Sequence, residues 1–97
     1  MKVRELLALL RQAPPEACVL FLDAYAGRDE ADEVREVFVP ETAWTHERGR
    51  FGADEYAVRY PHAPEPRGAG YRDVTYVAER VVVLSTGTTN LRSVTNQ

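Results

Sequence analysis

ACVLFLDA, residues 17–24, is apolar at nearly every position from Ala17 to Leu22, and its reading decides the fold. A half-exposed strand alternates apolar with polar side chains; this run offers apolar groups to both sides, so both faces of the strand are expected to be covered. Just downstream, AGRDEADEVREV, residues 26–37, places Asp29, Glu30, Asp32, Glu33 and Glu36 close together after Gly27, which permits a turn. EVREVFV, residues 33–39, then returns as a second strand, with Val37 and Val39 on one face, Glu36 and Phe38 on the other, and Pro40 ending it. The two runs are expected to pair as a hairpin across an acidic loop.

Upstream, KVRELLALLRQ sets Val3, Leu6, Leu7 and Leu10 on one helical face, while Lys2, Arg4, Glu5 and Arg11 point outward. Pro14 and Pro15 stop this helix, because proline lacks the N–H of an intrahelical bond and disfavours helical geometry in the residue before it. Downstream, ETAWTHERGRFGAD, residues 41–54, has no clear period and reads as an irregular excursion anchored by Trp44 and Phe51. EYAVRY alternates, with Tyr56, Val58 and Tyr60 on one face, and PHAPEPRGAG, residues 61–70, is a loop. ERVVVLS, residues 79–85, is a final strand, apolar on both faces like the first, and the two are expected to form the sheet centre.

The expected architecture is α+β: an N-terminal helix packed on a mainly antiparallel four-stranded sheet, in one domain over residues 1–86, followed by a mobile C-terminal tail over 87–97. One helix covers one face of such a sheet. The second face needs either the Trp44 and Phe51 excursion folded back, or a second copy of the chain in a symmetric dimer.

The chain of 97 residues carries 15 acidic and 12 basic side chains, a formal charge of −3, which argues against a general polyanion binder. Residues 25–47 hold Arg28 and Arg35 against seven acids, whereas residues 48–80 hold six arginines against five acids, so charge is segregated along the chain. The single Cys18 excludes an intramolecular disulfide. The N terminus has no apolar run of signal length, and no stretch approaches the ~18 apolar residues of a membrane span, so a cytoplasmic protein is expected.

Candidate sites are few. An EF-hand loop needs alternating oxygen ligands, glycine at its sixth position and glutamate at its twelfth; neither frame through Asp23 or Asp29 supplies them, so no metal is expected. Asp29, Glu30, Asp32 and Glu33 read instead as a solvated turn, or as an acidic patch that steers a basic partner. Cys18 is expected to be a small core hydrophobe, and His46 and His62 lie in polar loops without a zinc-type ligand set. RGAGYR, residues 67–72, matches neither phosphate-loop pattern, and Tyr56, Tyr60, Tyr71 and Tyr76 with Arg59 and Arg72 read as sheet residues more readily than as a base-stacking platform.

KVRELLALLRQAPPEACVLF, DEVREVFV and ERVVVLS together resemble small uncharacterised proteins of phages and prophages, in which a K-x-x-E-L-x-x-L helix leads through a turn into an apolar strand, an acidic loop and an E-V-x-x-V strand. The resemblance implies a bacterial or phage cytoplasm and a small adaptor-like or inhibitory protein; it implies no activity, cofactor or catalytic residue. The expected function is non-enzymatic protein–protein contact, with a possible homodimer, through Trp44, Phe51, Tyr56 and Tyr60 and with the acidic turn as a steering patch. Two other readings stay open. One is an inhibitor of a host nucleic-acid machine that mimics a phosphate backbone with its acids; the other is a small metal-dependent hydrolase using Asp29, Asp32 and His46 or His62.

Overall fold

The computed structural model describes residues 1–87 and 89, so the tail expected over 87–97 lies almost entirely outside the described residues. The elements are α1 (Val3–Leu10), β1 (Leu20–Phe21), β2 (Asp32–Glu33), β3 (Glu36–Phe38), β4 (Trp44–Phe51), β5 (Asp54–Tyr60), β6 (Tyr71–Glu79) and β7 (Val83–Ser85). The α+β class holds, with antiparallel pairing throughout. In place of one four-stranded sheet there are three sheets: β1–β2, β3–β7, and a three-stranded sheet in the order β5–β4–β6. The chain divides into two compact units, one formed by Met1–Phe38 with the chain from Val82, the other by Val39–Val81.

In the first unit, α1 forms where the leucine stripe places it and ends as Ala13 N–H reaches Leu10 O at 3.0 Å, just before Pro14. The hairpin across the acidic loop forms, in the register Leu20↔Glu33 and Phe21↔Asp32, with Val34 N–H donating to Val19 O at 2.9 Å. It is short, because the second expected strand splits: Asp32–Glu33 pairs with β1, whereas Glu36–Phe38 turns to β7. The runs expected at a sheet centre are therefore ribbon strands with one neighbour each. Phe38 is the buried hydrophobe of this unit, while Val3, Leu7, Leu9 and Leu10 of α1 are all about half exposed. Cys18, expected in a core, is exposed and precedes β1 by two residues.

The second unit is built around β4, the segment expected to be irregular. Residues 44–51 alternate, but the side they bury is Thr45 and Glu47 instead of a row of hydrophobes, so apolar periodicity cannot reveal the strand. β4 and β5 are joined by Gly52 and Ala53; Gly52 has φ +61° and no other positive φ occurs in the turn, the type II′ arrangement whose twist suits a two-residue hairpin. β6, the longest strand, follows the 61–70 loop and pairs along the other side of β4, with a register irregularity between Arg48 and Arg50. Asp73, opposite this irregularity, has φ +54°, a left-handed geometry that aspartate tolerates better than most residues.

Candidate functional site

The most elaborated arrangement of side chains lies on the inner face of the three-stranded sheet. Strand alternation puts Thr45 and Glu47 of β4 on the same side as Tyr56, Val58 and Tyr60 of β5, and the registers Glu47↔Val58 and Thr45↔Tyr60 bring them together. Glu47 is fully inaccessible to solvent. Its Oε1 accepts from Tyr60 Oη at 2.6 Å and from Arg67 Nη2 at 3.0 Å; its Oε2 accepts from Arg67 Nε at 2.8 Å and from Tyr56 Oη. Arg67 thus grips the carboxylate with both prongs of its guanidinium, the strongest geometry for this pair.

Arg67 comes from the 61–70 loop, which is pinned across the sheet at two further points. Thr45 Oγ1 donates to His62 O at 2.7 Å, and Tyr76 Oη donates to Glu65 O at 3.1 Å. Aromatic rings extend the cluster: Arg67 lies 5.3 Å from the Tyr71 ring centre, Tyr71 meets Tyr56 edge-on at 5.8 Å, and Phe51 lies 4.7 Å from Tyr71. The cover is a single layer of side chains, since Arg67 retains 34% of its side-chain exposure directly above a carboxylate that has none.

The electrostatics follow from this geometry. The Arg67 hydrogen bonds, with smaller help from Tyr56 and Tyr60, outweigh burial and hold the Glu47 carboxyl at about 2. Burial and then the bond to Glu47 push Tyr56 up to about 12, and for Tyr60 the bond to Glu47 comes first, also reaching about 12. Arg67 is raised by its bond to Glu47. Two tyrosinates are therefore expected to form only near pH 12 in an ultraviolet difference titration, and Tyr56→Phe and Tyr60→Phe should each remove one. A carboxylate with four donors on its two oxygens, one of them a guanidinium, has no lone pair aimed at an incoming proton or metal. Its chemistry is to lock the loop onto the sheet.

Gly49 keeps this site open. A Cβ there would lie 2.9 Å from Tyr56 Oη and 3.0 Å from Val74 Cγ2, so Gly49→Ala must displace the tyrosine hydroxyl from Glu47. A loss of ~1–3 kcal/mol in chemical denaturation is expected, the usual range for overpacking.

Around Arg48 and Arg50, the outer face of the same sheet is charged and open. Arg48, Arg50, Glu55, Ala57 and Asp73 line a shallow depression of about 590 Å³. Arg50 is shared between Glu55 at 3.4 Å and Asp73 at 4.0 Å, so two arginines face two acids and the depression is charge-balanced. Further along, Glu79 takes Arg59 Nε at 2.5 Å and lies 3.7 Å from His46 Nδ1.

The sequence candidates separate on this framework. Tyr56 and Tyr60 spend their hydroxyls on Glu47, and Phe51 joins their face through Tyr71 while remaining 54% exposed. Trp44 begins β4 on the opposite face, and its buried indole Nε1 has no acceptor among the described residues. His62 stacks on the Tyr60 ring at 4.4 Å. The acids Asp29, Glu30, Asp32 and Glu33 belong to the other unit and serve the turn. Glu30 Oε2 accepts from Gly27 N–H at 2.5 Å, and Asp32 pairs with Arg35 at 3.1 Å, which, with the Glu33 N–H, lowers its pKa. Among the described residues no three His, Cys, Asp or Glu side chains converge as a metal site would require, and no helix is long and apolar enough to cross a membrane.

Glu47 and Arg67, the centre of the arrangement, are absent from the sequence candidates. The available signal was the Gly52–Ala53 pair directly before the alternating EYAVRY segment, which is compatible with a hairpin turn; that Glu47 shares a face with Tyr56 and Tyr60 follows only from the register. Comparison with protein-family models, with curated proteins and with solved structures finds no match.

Proposed function

We propose that this is a non-enzymatic protein that works by protein–protein contact, presenting residues 17–22 to an apolar surface of its partner. One observation carries the reading: Val19, Leu20, Phe21 and Leu22 are four successive apolar residues exposed by 53, 57, 49 and 47%. Runs of this kind mark interaction surfaces, since singly scattered hydrophobes are ordinary but a contiguous apolar stretch is not. Among the described residues β1 has a strand neighbour on one edge, so its other edge offers backbone hydrogen bonds to an added strand. The acidic turn next to it, residues 29–33, supplies the charge that steers a basic partner toward the apolar run. In this reading the protein is an adaptor-like component of a bacterial or phage cytoplasm. A catalytic role for Glu47 is disfavoured by its four donors.

The test compares the wild type with Leu20→Asp/Leu22→Asp as bait in a bacterial lysate. The wild type is expected to retain a discrete protein that the variant loses, with circular dichroism spectra and thermal melts of the two compared as a check that the fold is intact. Equal retention by the two baits would remove residues 17–22 as the contact surface.

A further inference from the structure

We infer that β5 is a self-pairing edge, and that two copies of the chain join antiparallel along it into a continuous six-stranded sheet with the order β6–β4–β5–β5–β4–β6. This surface lies in the second unit and is separate from the contact proposed for residues 17–22.

β5 is an edge strand of seven residues, Asp54–Tyr60, with β4 on one side and, among the described residues, no strand on the other. Its sequence, DEYAVRY, is matched to itself under a two-fold axis at Ala57. In that register all seven residues pair, Glu55 stands opposite Arg59 of the second copy on the outer face, and Arg59 stands opposite the second copy's Glu55. Sliding the axis to Tyr56 or Val58 shortens the ladder and removes both charge matches. Opposite charges directly across an antiparallel pair attract, and like charges repel. On the outer face of this edge the charges, Glu55 and Arg59, are opposite in sign and placed symmetrically about its centre, while Asp54, on the inner face, falls at the end of the ladder opposite Tyr60 of the second copy.

The pairing also extends charge rows already present. Arg59 is held by Glu79 at 2.5 Å and Glu55 by Arg50 at 3.4 Å, so the joined sheet has rows in which Glu79, Arg59, the second copy's Glu55 and its Arg50 alternate in sign. On the inner face Tyr56 meets Val58 of the second copy, covering a valine that is 42% exposed. Ala57, exposed at the axis, is small enough for the two strands to approach. The other edge is unsuited: β6 carries the register irregularity and the positive φ of Asp73, features that interrupt a ladder.

The experiment is sedimentation of the full chain as wild type, Glu55→Arg, Arg59→Glu, and an equimolar mixture of the two variants, with circular dichroism and a thermal melt checking the fold of each. The wild type is expected to dimerise. Each variant alone puts like charges opposite twice and should weaken association at least about tenfold, while the mixture restores both opposite-charge pairs and should form a heterodimer. As a second readout, Ala57→Cys in a Cys18→Ala background should oxidise to a covalent dimer, because facing Cα atoms in an antiparallel ladder lie ~4.5–5.5 Å apart, within disulfide reach. A wild type that stays monomeric at millimolar concentration, single variants that dimerise like the wild type, or a mixture with no heterodimer would each overturn the inference.

Discussion

Arg67→Met is expected to lower the midpoint of thermal unfolding by about 10 °C, more than Glu47→Leu does, and the double variant Glu47→Leu/Arg67→Met should be more stable than Arg67→Met alone. The order follows from which charge is stranded. Without Arg67, the Glu47 carboxylate stays in a fully inaccessible position with only the hydroxyls of Tyr56 and Tyr60 to solvate it. Without Glu47, Arg67 is already 34% exposed and can swing into water, as can the two tyrosine hydroxyls from partly accessible rings. Removing both charges and filling the space with apolar groups avoids the stranded ion, and such replacements are frequently neutral or better. Thermal melts of the three variants and the wild type close the cycle, and the coupling between the two positions is read as the departure from additivity. If Arg67→Met melts with the wild type, the ion pair is not what fixes the 61–70 loop.

The N-terminal half was legible where a local rule acts on adjacent residues. The leucine spacing in KVRELLALLRQ fixes a helix, two prolines end it, and the acidic turn between two apolar runs fixes a hairpin. What failed there was the inference from apolar on both faces to central in a sheet: β1 and β7 have one strand neighbour each, and Leu20 and Leu84 remain 57% and 44% exposed. Two-sided apolarity says that a strand wants cover and not where the cover comes from. The second unit was hidden for a different reason. The groups it buries on β4 are Thr45 and Glu47, whose burial depends on hydrogen bonds to partners up to 20 positions away, and a hydropathy pattern carries no trace of those partners. Arg67 in particular reads from sequence as the start of a glycine-rich loop, and only the folded loop shows it as the counterion of a carboxylate two strands earlier.

The two units therefore solve burial in opposite ways. Among the described residues, the first buries Phe38 and leaves Leu7, Leu20, Phe21 and Leu22 about half exposed, so its stability depends on what covers them. The second satisfies a buried acid internally and needs no partner to do so. Substitutions in residues 17–22 should accordingly affect association while leaving the Glu47 site intact, and substitutions at Glu47 or Arg67 should act on folding first.

Acid is expected to unfold the second unit in a window set by Glu47. Its carboxyl is depressed from the ordinary 4.5 to about 2, so the folded state binds this proton more weakly than the unfolded chain does. The resulting stability is complete above pH 4.5 and is lost as pH falls toward 2, amounting to about 3 kcal/mol over the window. Tyr56 and Tyr60 act at the other end with the opposite sign: their raised values, about 12 against 10, contribute stability that is present below pH 10 and lost as pH rises through 12. Denaturant midpoints measured from pH 7 to pH 2 should fall steeply below pH 4.5 in the wild type. Glu47→Gln should start lower at pH 7, because its amide faces the Arg67 donors with an NH₂ group, and should then lose less with acid because no proton is taken up at this position. In Arg67→Met the slope should shrink or reverse, since the stranded carboxylate now gains by protonation and the cost of losing Arg67 is relieved near pH 4. A wild type and a Glu47→Gln variant with parallel pH profiles would show that another carboxylate governs acid unfolding.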